Sequence, residues 1–588
     1  MCGFFGYFSL KKKNNKEIYK NSTLKHRGPD EHNVFTDNNI HCEFFRLNIL
    51  GGKYGKQPML SKNKRYLLLF NGEIYNYKEL AKNYLSIERK DYSSDTRVIL
   101  DLFTKYGPSA VEKFNGMFAI VLYDLRLKKL FLIRDRFGTK PLYYLIENNI
   151  IYFSSEIKGI PVKKNVNNKV VRDYLDLGLY PNNKTFFSKI NNLKPSSYLI
   201  YCNNVLKVCK YFDLKKEVIL EKNNKIDSLE KFEHLLNDSI SIRQRSNRTL
   251  NFHLSGGIDS TSLLVLTNNL WKKNYNLSTN TYVYKGFSNS EYQSAKKISS
   301  KLNLKNQKVE IESKEIPALA EKLQYYQDEP FGGIASIAEY KQNLEQKKKE
   351  IIVSFEGIGG DEILSGYKSH LYILIWDLYH SQKNNHLLNK LVKFSGRNIK
   401  NILLIAKNFI LSDFNGNTDL SQIRNNETNK KIDKNKNYYK AITFNEIDNG
   451  SLFRTLRFRD RSSAACGREL RFPFLDHKLV THCLAMPIEL KFKDGMSKAP
   501  LRHIVNTVDK KLSLEKKISA NSAQSFWFQN DLKNWAMDNI TALSNKNVIN
   551  KRYFENIDYY FKPPIKNTFY IWQLVNLNIF YDTIKKNI

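Results

Sequence analysis

Cysteine is scarce in this chain. Six occur in 588 residues, Cys2, Cys42, Cys202, Cys209, Cys466 and Cys483, and no two stand as C-x-x-C. That excludes a disulfide-built scaffold and points to a reducing compartment, the cytoplasm. No run reaches about 18 consecutive apolar residues, so no membrane-spanning helix is expected. The short apolar stretch from Phe4 to Leu10 carries its lysines after it rather than before it, the wrong order for a secretory signal. Acidic residues are also in deficit, with Asp plus Glu at 58 against Lys plus Arg at 94, a formal charge of +36. Such a balance can mark a nucleic-acid binder. Here the lysines are scattered through Asn-rich stretches such as Lys11 to Lys16 and Asn425 to Lys440. A basic helix, an RNP-type strand and zinc-finger spacing are all lacking, so no nucleic acid is expected as a partner. The cationic field would still favour anionic substrates.

What is present fills more than one core: 41% of residues are hydrophobic and 13% aromatic, and a chain this long divides into domains. Short apolar runs bounded by Gly, Asn and Asp, among them Tyr66 to Phe70, Phe118 to Tyr123, Leu130 to Arg134 and Ile150 to Phe153, read as strands of a sheet-rich first domain over 1–205. A charged, Asn-bearing stretch from Cys202 to Ser228 reads as the boundary. In the second domain, 226–588, helical patterns such as Leu229 to Arg243 alternate with apolar runs at Leu250 to Leu254, Thr281 to Tyr284 and Ile351 to Phe355. That alternation predicts a parallel sheet with crossovers. Beyond His370 the pattern is mostly helical, interrupted by a polar loop from Gln422 to Lys440.

Two local chemistries stand out. Removal of Met1 would leave Cys2 with a thiol and a free α-amine, whose pKa of roughly 7.7 to 8.0 suits it to take the thiol proton. Attack by such a thiol on an amide needs donors for the oxyanion; Asn71 offers a side-chain N–H and Gly72 a backbone N–H unobstructed by a Cβ. Further along, the apolar run Leu250 to Leu254 enters Ser255-Gly256-Gly257-Ile258-Asp259-Ser260 and then a helix. This strand, glycine turn and helix start aim N–H groups at one point, where a phosphate would sit. Gly-x-x-x-x-Gly-Lys is absent, so the turn is not a Walker A loop. A second turn, Glu356-Gly357-Ile358-Gly359-Gly360-Asp361-Glu362, follows Ile351 to Phe355. Asp259 and Asp361, from separate strand ends, are candidate Mg²⁺ ligands.

In order and spacing, Met1-Cys2-Gly3, His26-Arg27-Gly28-Pro29-Asp30, Asn71-Gly72-Glu73-Ile74-Tyr75-Asn76 and Arg134-Asp135-Arg136-Phe137-Gly138 resemble class II glutamine amidotransferase domains. With the two glycine turns, Asp328-Glu329-Pro330, Arg471-Phe472-Pro473-Phe474-Leu475-Asp476, Lys498 and Arg502, the whole resembles the glutamine-hydrolysing asparagine synthetases. The resemblance implies an N-terminal nucleophile sandwich (αββα) followed by an α/β domain of the ATP pyrophosphatase type with a helical C-terminal part. It implies that Arg46 binds the glutamine carboxylate and that Glu73 and Asp95 hold its ammonium. Ser255, Gly256, Gly257 and Ser260 would cradle pyrophosphate, Leu254 and Gly357 would face adenine, and Lys517 would neutralise phosphate charge. The substrates would be glutamine, ATP and aspartate, reacting through a β-aspartyl adenylate, with ammonia passing along a dry, apolar conduit. A homodimer is left open.

Departures from the family strings accompany these matches. Arg97 stands where an acidic residue is usual, Ala464 and Ser246 to Thr249 differ, and Ile358 occupies a commonly acidic position, with Glu356 as a carboxylate two residues earlier. They leave a second acceptor class open, a sugar acid amidated for surface polysaccharide.

Overall fold

The structure, a computed structural model, describes residues 2–10, 22–85, 90–178, 183–223, 228–246, 248–271, 277–287, 290–414, 432–448, 450–515, 523–563, 565 and 567–587. Lys517 and positions 422–431 of the expected loop lie outside the described residues; from Tyr438 the chain is already helical.

Twelve strands make two antiparallel sheets in the first 210 residues. They are β1 (Gly3–Ser9), β2 (Glu31–Thr36), β3 (Ile40–Arg46), β4 (Met59–Leu60), β5 (Tyr66–Ile74), β6 (Gly116–Asp124), β7 (Lys129–Arg134), β8 (Tyr143–Glu147), β9 (Ile150–Ser154), β10 (Asn191–Asn192), β11 (Ser197–Cys202) and β12 (Val205–Lys210). One sheet runs β10-β8-β9-β1-β3-β2 and the other β12-β11-β7-β6-β5-β4. The two-residue period of a strand explains the layering. Along β5, Leu67 and Leu69 meet Phe4, Phe8 and Phe44 of the facing sheet. Leu68 and Phe70 turn the other way, onto Val98, Leu102 and Phe103 of the helix Asp95–Tyr106. The outer face of the first sheet, through Phe5 and Tyr143, packs in one cluster with Val170 and Tyr174 of the helix Asn168–Leu177. The result is the expected αββα sandwich.

The stretch read as a boundary is itself structured. It holds β12, paired with β11, and a helix, Leu214–Asn223. Charge concealed both: β12 is an exposed edge strand whose lysines keep its rim in water.

The second half is built on a five-stranded parallel sheet. Its strands are β13 (Leu250–His253), β14 (Leu277–Tyr284), β15 (Asn306–Ile311), β16 (Val353–Phe355) and β17 (Glu469–Arg471), in the order β15-β14-β13-β16-β17. β13 is buried along its whole length, as a strand covered on both faces by crossover helices must be. Helices dominate after Lys368, ending in Thr568–Asn587. That last helix closes the molecule on itself: Trp572 donates to the carbonyl of Phe331 at 2.7 Å, while Gln573 donates to the carbonyl of Tyr174 in the sandwich.

Candidate active site

Cys2 enters β1 at one end of the sandwich and lines a small cavity of about 30 Å³ with Arg46, Gly72, Glu73, Asp95 and Glu469. Its backbone nitrogen donates to Asn71 Oδ1 at 2.9 Å. That bond fixes the amide of fully buried Asn71, and its Nδ2 is left with no hydrogen-bond partner. An unpaired buried donor is costly, and beside a nucleophile it is what an oxyanion requires. Gly72 is held at φ 144°, where a Cβ would come within 2.0 Å of the Met117 carbonyl oxygen. Only glycine lets β5 pass so close to β6 here.

Charge in this cavity comes from both halves of the chain. Arg46 is tied by Glu31 at 2.8 Å and by the carbonyl of Gly52 at 2.6 Å. Asp95 accepts from the Ile74 nitrogen at 3.0 Å, yet burial pushes its carboxyl up to about 6. Glu73 is raised well above the ordinary carboxylate range, by burial first and then by Glu469. Glu469, from β17 of the parallel sheet, is almost wholly buried. Burial acts to raise its pKa, but Arg471, bonded to it at 2.8 Å, outweighs that and holds it below the usual value. Arg471 also reaches Glu73 at 3.5 Å. Burial, the largest influence, pushes the Cys2 thiol up, with Arg46 acting in the opposite sense. Arg97 pairs along its own helix with Asp101 at 3.8 Å. Glu469 and Arg471 gave no local signal of a part in this pocket, because strand pairing between distant segments brings them there.

A larger cavity, about 350 Å³, lies at the carboxyl ends of β13 and β16 and includes Leu254, Ser255, Gly256, Gly257, Asp259 and Ser260 in its walls. The turn is self-supporting: Gly257 donates to Ser255 Oγ at 3.2 Å, and the two serine hydroxyls lie 3.1 Å apart. The helix Ile258–Trp271 starts there. Leu254 donates its N–H to the Asn280 carbonyl at 2.9 Å. Gly357 and Asp361 line the same cavity. A Cβ on Gly360 would stand 2.5 Å from Asp259 Oδ1, so the two glycine turns touch. Asp259 and Asp361 converge on one cation, the Lys498 ammonium, at 2.5 and 2.6 Å. Burial acts to lower the pKa of Lys498, but the two aspartates raise it to about 12. Among the described residues no three His, Cys, Asp or Glu side chains cluster as a metal site. Two carboxylates converging on one cation nevertheless suit Mg²⁺, which takes one or two carboxylates and completes its shell with phosphate and water.

The helix Ser451–Ala464 reaches the larger cavity with one residue and approaches Cys2 through Arg27. Asp460 lies 3.0 Å from Arg27, whose Nε donates to the Cys2 carbonyl at 3.0 Å. The preceding residue, Arg459, lines the larger cavity. Around this helix Glu156 meets Arg27 at 2.7 Å and Arg461 at 2.8 Å, while Asp328 meets Arg461 at 3.1 Å. These groups form one buried ionic cluster. The motif residues Asp328 and Glu329 act as anchors, accepting from the nitrogens of Ile157 and Phe186 in the sandwich, each at 2.8 Å.

A thiol beside an unpaired amide donor, in one chain with a nucleotide-sized cavity lined by two glycine turns, defines a glutamine-dependent ligase. Comparison with known proteins agrees. A family described as glutamine amidotransferase domain matches residues 1–212, and one described as asparagine synthase matches residues 231–578. The chain belongs to the asparagine synthase family. It is 27% identical to asparagine synthetase (glutamine-hydrolyzing) 1 of Bacillus subtilis strain 168, over 94% of this chain and 92% of that protein. A putative asparagine synthetase (glutamine-hydrolyzing) 2 of Methanocaldococcus jannaschii is 31% identical over 63% of this chain and 76% of its own length. The human asparagine synthetase (glutamine-hydrolyzing) is 26% identical, covering 85% and 80%.

Proposed function

We propose that the chain transfers the amide nitrogen of glutamine to the side-chain carboxylate of aspartate, forming asparagine, glutamate, AMP and pyrophosphate from ATP. The observation that carries this reading is the sharing of β17: Glu469 lines the thiol cavity and Arg471 pairs with Glu73 of its wall, while the Arg471 carbonyl accepts the N–H of Glu356 in the larger cavity at 3.1 Å. The activity of the Bacillus, Methanocaldococcus and human proteins, as their names give it, supports the same acceptor over a sugar acid.

In this reading the Cys2 α-amine, freed by loss of Met1, takes the thiol proton and the sulfur attacks the glutamine amide carbon. Asn71 and Gly72 hold the oxyanion. Ammonia leaves with that proton, and water cleaves the thioester to glutamate. Arg46 takes the α-carboxylate of glutamine, and Glu73 and Asp95 its ammonium. At the other cavity a carboxylate oxygen of aspartate attacks the α-phosphorus and pyrophosphate departs into the Ser255 to Ser260 turn. Ammonia then displaces AMP from the acyl carbon. Asp259 and Asp361 are the residues that would hold Mg²⁺, which supplies neutralisation of phosphate charge. Lys498 keeps the two carboxylates together, and Lys517 remains the proposed partner of the phosphates.

Replacing Cys2 by Ala tests the division of labour. Glutamine-dependent synthesis should fall to background while synthesis from ammonium salts persists within about twofold. Equal loss of both would refute separate sites.

A further inference from the structure

Transfer of the thiol proton to the Cys2 α-amine creates an ammonium at a cavity of only about 30 Å³. The nitrogen is already fixed on one side, where it donates to Asn71 Oδ1 at 2.9 Å. The carbonyl of the same residue accepts from Arg27 Nε at 3.0 Å. Neither contact brings a negative charge. An ammonium withdrawn from water is costly unless it is paired, so the walls of the cavity have to supply its counter-charge.

Among the described residues three carboxyl groups line that cavity, Glu73, Asp95 and Glu469. The cations facing them are Arg46, tied to Glu31 at 2.8 Å, and Arg471, 3.5 Å from Glu73. Burial pushes Glu73 and Asp95 toward their neutral forms, and both are assigned to the ammonium of glutamine. Glu469 behaves in the opposite way. Burial acts against its charge, but Arg471, then the positive amino end of the chain, then Lys140 hold it as an anion. Arg471 Nε donates to its Oε1 at 2.8 Å, and Lys140, itself buried, lies 3.6 Å from Asp460. On the Cys2 thiol Glu469 acts more weakly than the amino end or Arg46 does, so its charge bears on the nitrogen more than on the sulfur. The Glu469 N–H donates to the carbonyl of Ile352, just before β16, at 2.8 Å. The parallel sheet of the second half thus carries this carboxylate to Cys2.

We propose that Glu469 is the counter-ion of the protonated Cys2 α-amine, a positioning residue that the second half of the chain supplies to the thiol chemistry of the first. This rests on the reading that Cys2, freed of Met1, attacks glutamine. In the activation step the S–H bond breaks, an N–H bond forms on the α-amine, and the electron pair stays on sulfur. Glu469 stabilises the ammonium so formed. When the proton leaves with ammonia, Glu469 again faces a neutral amine. Full reactivity of the thiol therefore needs both halves assembled.

The test uses the full chain and titrates the α-amine itself. In a Cys2→Ser protein, which keeps the amine and removes the thiol, trace acetylation by acetic anhydride is followed against pH, with the amino-terminal peptide read by mass spectrometry. Adding Glu469→Gln keeps an acceptor for Arg471 but removes the charge. An ammonium without its anion gives up its proton more readily, so the midpoint should fall by about one pH unit. With Cys2 intact, Glu469→Gln should lower glutaminase kcat by about tenfold and change the KM for glutamine much less. Glu469→Asp, charged but drawn back by one methylene, should lie between the two in both measurements. A midpoint that Glu469→Gln leaves in place would overturn the proposal, and so would a loss confined to KM, which would assign Glu469 to glutamine instead. If Glu469→Gln does not fold, Glu469→Asp decides: a smaller downward shift upholds the pairing, and none refutes it. An unaltered protein that keeps Met1 by intact mass, or that does not hydrolyse glutamine, would instead refute the reading of Cys2 as the nucleophile, and the amine titration stands apart from both results.

Discussion

Asn71 shows how much one side chain can carry. Its Oδ1 is committed to Cys2 while its buried Nδ2 has no partner, which is the donor the proposed oxyanion role requires. Asn71→Ala should lower glutamine-dependent kcat by about 10² to 10³, roughly 3 to 4 kcal/mol. Glutaminase assays measure that loss, with ammonium-dependent synthesis as the internal control. Asp95 makes a different expectation. Its pKa, raised to about 6 by burial, means that the carboxyl is neutral below that pH and charged above it. In the proposed role a neutral Asp95 would not hold the ammonium of glutamine, so the KM for glutamine should rise as pH falls below about 6. Asp95→Asn should flatten that rise and give a high KM throughout. Both residues are legible as candidates in the sequence, since they lie in motifs. Glu469 is not, because its place beside Cys2 depends on two domains meeting.

At the scale of elements, the glycine turns after β13 and β16 succeed by touching. Gly360 stands where a Cβ would lie 2.5 Å from Asp259 Oδ1. Gly360→Ala should push the Asp259 and Asp361 carboxylates apart and lower adenylation by about tenfold or more, a cost in the range of overpacking. Glutaminase activity would change little, and pyrophosphate exchange beside glutamate release reads the difference. Element types followed from periodicity: β5, β6, β7 and β9 lie where short apolar runs placed them, and the helix Ser228–Arg243 where its apolar spacing did. The shortest strands were hidden. Three-residue β17 has a Glu and an Arg at its ends, and four-residue alternation cannot be read from three residues. β12 was concealed by its lysines, which belong to an edge strand in water.

For the whole molecule, the network of Arg27, Glu156, Asp328, Asp460 and Arg461 ties the sandwich to the helix Ser451–Ala464 of the second half through charge. These groups bridge the sandwich and the second half, with Asp328 also accepting from the Ile157 nitrogen. A buried ion pair adds little net stability but is costly to break from one side. Asp460→Asn removes one of the two carboxylates, the other being Glu156, that face Arg27 beside Cys2. It should uncouple the halves, so that glutamate formed exceeds amide product by about twofold or more, measured as a ratio so that loss of folded protein cancels.

The central claim is that nitrogen from glutamine reaches an acid activated as its adenylate within one chain. Glutamine labelled with ¹⁵N in the amide, supplied with ATP and aspartate, tests it in one reaction followed by NMR. The account predicts labelled asparagine, glutamate and AMP accumulating in equal amounts. Release of ADP in place of AMP, or asparagine without the label, would contradict it.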